Sequence, residues 1–225
     1  MKVLRLKLFQ ETACYKKPFA LKVAETYPLP PYSTVKGMLH YLLDAQEFID
    51  MGISIQGSYD SVFSNYQDMY SYKGESKGKA VVTQMPLNVH MLYGVNLIIH
   101  VTACNDVIDS IVNSIKNSDE HISLGRREDL VRIDEVCEVT VEKSKVGRGY
   151  HGPYILEYPI YVPKYKLPKN LSGINYLLNW KYEIVNELRI WEKIETTYVD
   201  SGEIITEGNI EVDSDGYIVF FNVEL

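Results

Sequence analysis

Long apolar runs are missing from this 225-residue sequence. None reaches the roughly 18 to 20 residues that a helix needs to cross a bilayer. The first residues, Met1 to Leu8, alternate Lys2, Arg5 and Lys7 with apolar side chains, unlike a signal peptide. A chain with no membrane segment and no signal peptide is expected. Cysteine is scarce. Cys14, Cys104 and Cys137 are odd in number and widely spaced, which suits neither a disulfide framework nor a zinc site. A reducing, cytoplasmic setting follows, with no metal or cofactor expected. An excess of positive charge is also absent: the net charge of −7 argues against coating nucleic acid through bulk electrostatics. Catalytic signatures are thin as well. The sequence has no G-x-S-x-G elbow and no phosphate-binding G-x-x-x-x-G-K-[ST] loop, and His40, His90, His100, His121 and His151 show no ligand spacing.

What is present is material for an ordered core, with 46% hydrophobic and 24% charged residues. The charge is uneven. Residues 1–40 hold Lys2, Arg5, Lys7, Lys16, Lys17, Lys22 and Lys36 against Glu11 and Glu25, a local excess of +5 that leaves −12 elsewhere. Any binding of nucleic acid must therefore be local. Eighteen tyrosines supply rings suited to packing half-buried sheets or to stacking on bases.

Periodicity orders the elements. Val3 to Phe9 alternates as a strand, with Leu4, Leu6 and Leu8 on one face and Arg5 and Lys7 on the other. Val35, Met38, Leu39, Leu42 and Ile49 recur at helical spacing, predicting a first helix over Ser33 to Phe48. A strand at Ile53 to Ile55, continued by Tyr59 to Tyr72, runs into a projection whose tip, Lys73 to Lys79, has hairpin-turn composition. Val89 to Val101 is a third strand. Ile108, Ile111, Val112 and Ile115 form the stripe of a second helix that Asn105 or Asp106 can cap, and Leu130 to Glu142 reads as a fourth strand. The order β-α-β-β-α-β is that of an α+β, ferredoxin-like domain. Beyond about residue 145 short strands and turns dominate, with Asp213-Ser214-Asp215-Gly216 as a hairpin turn and Leu177 to Trp191 either extended or helical. A domain over residues 1–145 followed by a small β-rich one over 146–225 is expected.

Two stretches invite an anion. In Tyr27-Pro28-Leu29-Pro30-Pro31-Tyr32-Ser33-Thr34-Val35-Lys36-Gly37, Ser33 can cap the first helix, whose first turn lacks an acid and carries Lys36 against the macrodipole. Free N–H groups, the Ser33 and Thr34 hydroxyls and the ammonium could meet a phosphate, while Gly37 admits a close backbone. An ordinary capped helix with a solvated lysine accounts for the same residues. In Leu124-Gly125-Arg126-Arg127-Glu128-Asp129, two arginines at a turn aim in different directions, toward phosphates and base edges or toward surface salt bridges with Glu128 and Asp129. Weaker candidates are a basic finger with Tyr66, Tyr70, Tyr72, Lys73, Lys77 and Lys79, and the glycine-rich Gly147 to Gly152 with Arg148 and Tyr150, which also reads as a linker.

These features together resemble the Cas-five family of CRISPR-associated RAMP proteins, and are most like its type I-B members. The resemblance rests on the amino-terminal strand, the Pro-Pro-Tyr-Ser-Thr-Val-Lys-Gly stretch at 30–37 and Leu-Gly-Arg-Arg-Glu at 124–128, and covers about the first 145 residues. It implies a ferredoxin-like (RRM-like) domain with a protruding hairpin thumb, here about residues 66–88, and a variable β-rich tail. It implies a non-catalytic subunit of a Cascade complex in prokaryotic antiviral defence. Such a subunit binds the 5′ handle of the guide crRNA, caps the backbone filament and docks the large subunit that reads target DNA. Handle contacts would fall on Ser33, Thr34, Lys36, Gly37, Gly125, Arg126 and Arg127, and then on Arg148 and Tyr150. The rival within the resemblance is metal-independent cleavage of precursor RNA, as in type I-C relatives that carry a lysine-histidine pair before the Leu-Gly motif. Here Glu120 precedes His121, and a carboxylate cannot stabilise developing negative charge. A ferredoxin-like small-molecule sensor would explain the fold and neither motif.

Overall fold

The computed structural model describes residues 2–18, 23–76, 79–150 and 152–223. Strand β1 (Lys2–Ala13) is followed by β2 (Val23–Ala24), helix α1 (Tyr32–Leu42), β3 (Gly52–Ser58), β4 (Ser61–Ser76), β5 (Lys79–Thr102), helix α2 (Asn105–Asn117) and β6 (Arg132–Val146). The remainder comprises β7 (Tyr154–Ile155), β8 (Ile160–Pro163), a 3-10 turn at Lys164–Lys166, β9 (Ile174–Val185), β10 (Leu188–Val199), β11 (Ile204–Ile205), β12 (Gly208–Asp213) and β13 (Ile218–Val219). The protein is therefore mostly β-sheet, with two α-helices among the described residues.

Eleven strands share one sheet, whose path runs β13-β12-β6-β1-β5-β3-β8-β10-β9, with β2 and β4 also pairing with β5. β1 is antiparallel to both β5 and β6, and β3 is antiparallel to β5. Thus β1 and β3 run parallel around β5 and are connected through α1, and β5 and β6 run parallel around β1 and are connected through α2. The alternation of β1 explains the core. Leu4, Leu6 and Leu8 join Ile53, Ile55, Leu97, Ile99 and Val101 beneath Val35, Leu39, Ile108 and Ile111 of the helices. Burying side chains of this size stabilises the fold by about 1.5 to 3 kcal/mol each.

The opposite face of β1 is covered too. Arg5 is only 3% exposed, because the turn after β12 lies over it. Its guanidinium pairs with Asp213 at 2.8 Å, Asp215 at 2.5 Å and Glu135 at 2.8 Å, and His100 Nε2 meets the same Asp213 oxygen at 3.0 Å. Burial would raise the Asp213 pKa, but hydrogen bonds from His100, Arg5 and the Tyr217 N–H outweigh it and hold the value down at about 2. The Asp213-to-Gly216 hairpin turn foreseen in the sequence is thus anchored from below. Residues after 145 flank the sheet on both sides: β8, β10 and β9 extend it beyond β3, while β12 and β13 extend it beyond β6. Tyr161, Leu178 and Trp180 join the main core, and Val146, Leu156, Ile160, Ile210 and Phe220 form a second cluster.

Two local expectations need correction, and a third, left open between two alternatives, is resolved. Helix α1 stops at Leu42, not Phe48, because Asp44 adopts a left-handed φ of 48° that no helix continues. Neither Asn105 nor Asp106 caps α2; Cys104 holds the N-cap position without a side-chain bond, and Asp106 sits in the first turn, where a carboxylate favours the macrodipole. Leu177 to Trp191 takes the extended alternative, not the helical one. It is the distal part of the β9–β10 hairpin, reversed at Asn186 and Glu187 with φ of 50° and 63°.

Candidate nucleic-acid interface

The Leu124-to-Asp129 turn is built from inside the fold. Gln10 extends the face of Leu4, Leu6 and Leu8 as a fully buried amide, and its Nε2 donates to the carbonyls of Leu124 at 2.9 Å and Asp129 at 3.0 Å. Its Oε1 accepts from the Tyr15 hydroxyl at 2.6 Å. Buried Asp129 accepts the Cys14 N–H at 2.9 Å and the Arg126 N–H at 3.0 Å. Gly125 has φ of +109°, which favours glycine, and a Cβ there would crowd the Asp129 carboxylate at 3.0 Å.

The two arginines then part company. Arg126 folds back onto the turn, donating to Asp129 at 2.8 Å and to Gln67 Oε1 at 2.9 Å, and pairing with the Glu128 carboxylate at 3.1 Å. It fulfils the salt-bridge alternative and ties the turn to β4. Arg127 is exposed, with no ion-pair partner among the described residues, so its guanidinium is presented to solvent on a fixed backbone.

The lead-in to α1 differs from expectation. Pro31, not Ser33, occupies the N-cap position, with no side-chain cap bond. Thr34 and Val35 donate to the Pro31 carbonyl at 2.9 and 3.2 Å, which leaves the N–H groups of Tyr32 and Ser33 without an intrahelical acceptor. Ser33 and Thr34 are half-buried and Gly37 is exposed with open space around it. Lys36 points the other way. It is 7% exposed, donates to the Trp180 carbonyl at 2.7 Å and lies 4.8 Å from the ring centres of both Phe48 and Trp180. Burial, aided by repulsion from Lys181, holds its pKa down at about 8. A buried ammonium bound to a carbonyl is a packing element of α1 against β9. No hydrogen bond or ion pair among the described residues joins Ser33, Thr34 or Gly37 to Arg126 or Arg127; Tyr15 lies between the turn and Tyr27, at the head of the stretch that leads into α1. Its carbonyl accepts the Tyr27 N–H at 2.8 Å, and its ring borders Gly125.

His121 is exposed, and its neighbour Glu120 accepts a hydrogen bond from the Tyr41 hydroxyl. That carboxylate raises the Tyr41 pKa, keeping its proton in place. The thumb is longer than expected: β4 and β5 pair from Ser61–Tyr93 to Ser76–Lys79. Tyr66, Tyr70 and Tyr72 are exposed on it, as are Lys73 and Lys79; Lys77 lies outside the described residues. Arg148 and Tyr150 stand elsewhere. They follow β6 while Arg126 and Arg127 precede it, and the fifteen residues of β6 separate the two turns by about 45 Å along the strand. Gln10 was not expected as a support, and Asp129 was expected only as a surface salt-bridge partner, not as the buried acceptor of two backbone N–H groups. The signal for Gln10 was a lone amide in a core register.

Against known proteins, the mostly-β α+β fold is that of solved CRISPR-associated proteins. The family model described as CRISPR-associated protein (Cas_Cas5) matches residues 3–187. The chain belongs to that family. Among solved structures, a chain of a CRISPR RNA-guided surveillance complex superimposes with a TM-score of 0.57 at 13% identity, over 91% of this chain and 92% of that one. A CRISPR protein from Archaeoglobus fulgidus gives a TM-score of 0.52 at 10% identity, over 97% of this chain and 98% of that one. No curated protein sequence matches.

Proposed function

We propose that this chain is a non-catalytic subunit of a type I CRISPR interference complex (Cascade) of the I-B kind, holding the 5′ handle of the guide crRNA. It caps the filament of backbone subunits and docks the large subunit, and contacts target DNA only indirectly. The strand order β6-β1-β5-β3, with one helix in each crossover, supports reading the core as ferredoxin-like. Within the family membership, the observation that carries the proposal is Arg127, an unpaired guanidinium on a turn fixed from within by Gln10 and Asp129. A fixed fork of donors loses little freedom on gripping a phosphate, which is what positioning a single strand requires. The Ser33 N–H at the start of α1, with the half-buried Ser33 and Thr34 hydroxyls, offers a second place for the same strand.

The non-catalytic reading is supported by Glu120 beside His121, a carboxylate engaged by Tyr41 where an ammonium would be needed. The long β4–β5 hairpin, with tyrosines standing out from it, serves as the thumb that meets neighbouring subunits. The test is guide binding by the complete complex at two salt concentrations. Arg127→Ala should weaken binding by about 1.5 to 3 kcal/mol and flatten the salt slope; unchanged affinity and slope would refute the assignment.

A further inference from the structure

A cleft of about 930 Å3 opens where β6 ends, between the strand, the segment around Lys169 and β12. Its floor is apolar, made by buried Val146, Ile210 and Phe220. Its rim is basic. Lys143 and Lys145 alternate along β6 and so emerge on one side, and Arg148 and Lys169 stand on the lining beside them. None of these four cations has an ion-pair partner among the described residues, whereas Arg5, Lys7, Lys17, Arg126, Arg132, Lys164 and Lys181 all do. Two carboxylates share the lining, Glu207 and Glu211; Glu211 lies across the ladder from Lys143, but Lys145 faces only Asn209, and among the described residues neither acid is paired with the four cations. An unneutralised basic rim in a protein of net charge −7 is a local anion-attracting feature.

Tyr150 adds a flat, 61% exposed ring at the same rim. Lys145 Nζ lies 4.3 Å from its centre and 3.3 Å from its hydroxyl, so one cation and one ring are already side by side. The turn between them contains Gly147 and Gly149 at φ of +146° and +85°, with nothing within 4 Å of where a Cβ would stand. A backbone without side chains there lets a ligand come close. Cations, an exposed ring and an apolar floor together match a phosphodiester strand whose bases stack, whereas a free anion would use neither ring nor floor.

We propose that this cleft binds a short stretch of single-stranded nucleic acid, its phosphates held by Lys145 and Arg148 and one base stacked on Tyr150. It is a second strand site, at the other end of β6 from Arg127. The inference rests on reading this chain as a nucleic-acid-binding subunit, but not on where the guide's 5′ handle lies.

The experiment measures fluorescence anisotropy of a labelled oligoribonucleotide of about twelve residues with the purified full chain across several salt concentrations. The oligodeoxyribonucleotide of the same sequence and competition by AMP or inorganic phosphate form the other arms. Lys145→Ala/Arg148→Ala should weaken binding by about tenfold and reduce the salt slope by about 1.4, the contribution of two phosphate contacts to a single strand. Tyr150→Ala should weaken it severalfold with the slope unchanged, since stacking releases no counterions. Discrimination between the two oligonucleotides identifies which sugar the cleft accepts. No measurable binding by the wild-type chain at low salt would overturn the proposal. So would wild-type affinity and slope in the double variant, with its thermal unfolding intact, or competition by inorganic phosphate as effective as by unlabelled oligonucleotide. Arg127→Ala, run in parallel, separates the two sites. Loss there alone sinks the cleft and spares the handle assignment, and loss in the cleft variants alone does the reverse.

Discussion

Replacing Asp129 removes the member on which the candidate turn depends most. Asp129→Ala deprives the Cys14 and Arg126 N–H groups of their acceptor, and each orphaned donor costs about 1 to 3 kcal/mol. It also strips Arg126 of its closest partner, but that side chain keeps Gln67 and Glu128 and is 19% exposed, so the added cost is about 1 kcal/mol or less. The sum is about 4 kcal/mol, within the range for breaking a buried ion pair. Asp129→Asn keeps one oxygen for the two N–H groups but loses the charge and the oxygen that accepts from Arg126 Nη2, so about 1.5 to 2 kcal/mol is expected. Urea unfolding followed by circular dichroism reads both values, with the slope against urea unchanged. For a chain of this size the alanine variant should melt roughly 10 °C below wild type. A cost under about 1 kcal/mol for Asp129→Ala would show that the turn is not held from within, and the rigidity argued for Arg127 would fall.

Three further outcomes are expected. Deleting residues 73–79 should leave cooperative thermal unfolding unchanged, because the distal hairpin adds nothing to the main core, while assembly of the complex should suffer; a non-cooperative melt would refute this. The purified protein should not cleave a repeat-containing precursor RNA, and metal-independent cleavage abolished by His121→Ala would install the endoribonuclease reading instead. Lys36 titrates at about 8 in the fold, against about 10.4 unfolded. Between those values the unfolded chain holds a proton that the folded one has released, so stability rises with pH across that window. Wild type should therefore gain about 2 to 3 kcal/mol on Lys36→Met between pH 7 and 10, and parallel pH profiles would contradict the burial of the ammonium.

The parts of the fold legible in the sequence were those governed by one dominant period. β1 and α2 declared themselves through Leu4-Leu6-Leu8 and Ile108-Ile111-Ile115, and the Asp213-to-Gly216 turn through its composition. The β9–β10 hairpin did not. Its apolar residues face solvent on both sides toward the tip, so no alternation survives, and the reversal uses Asn186-Glu187 without a glycine. The candidate site was half legible. An Arg-Arg pair after a glycine marked the turn, but which arginine is spent on structure depends on Asp129 and on Gln67, a residue 59 positions away that no local pattern reveals. Lys36 misled for a similar reason. Its spacing fits a helix start, and its burial comes from Trp180, 144 residues later.

The most direct test of the central claim is a zero-length crosslink from the guide. The complete complex is assembled on a crRNA carrying 4-thiouridine at successive handle positions, irradiated, digested and read by mass spectrometry. Crosslinks from the 5′ handle are expected on the peptide that carries Arg127. Handle crosslinks confined to other subunits, with none on residues 123–130 or on the start of α1, would contradict it.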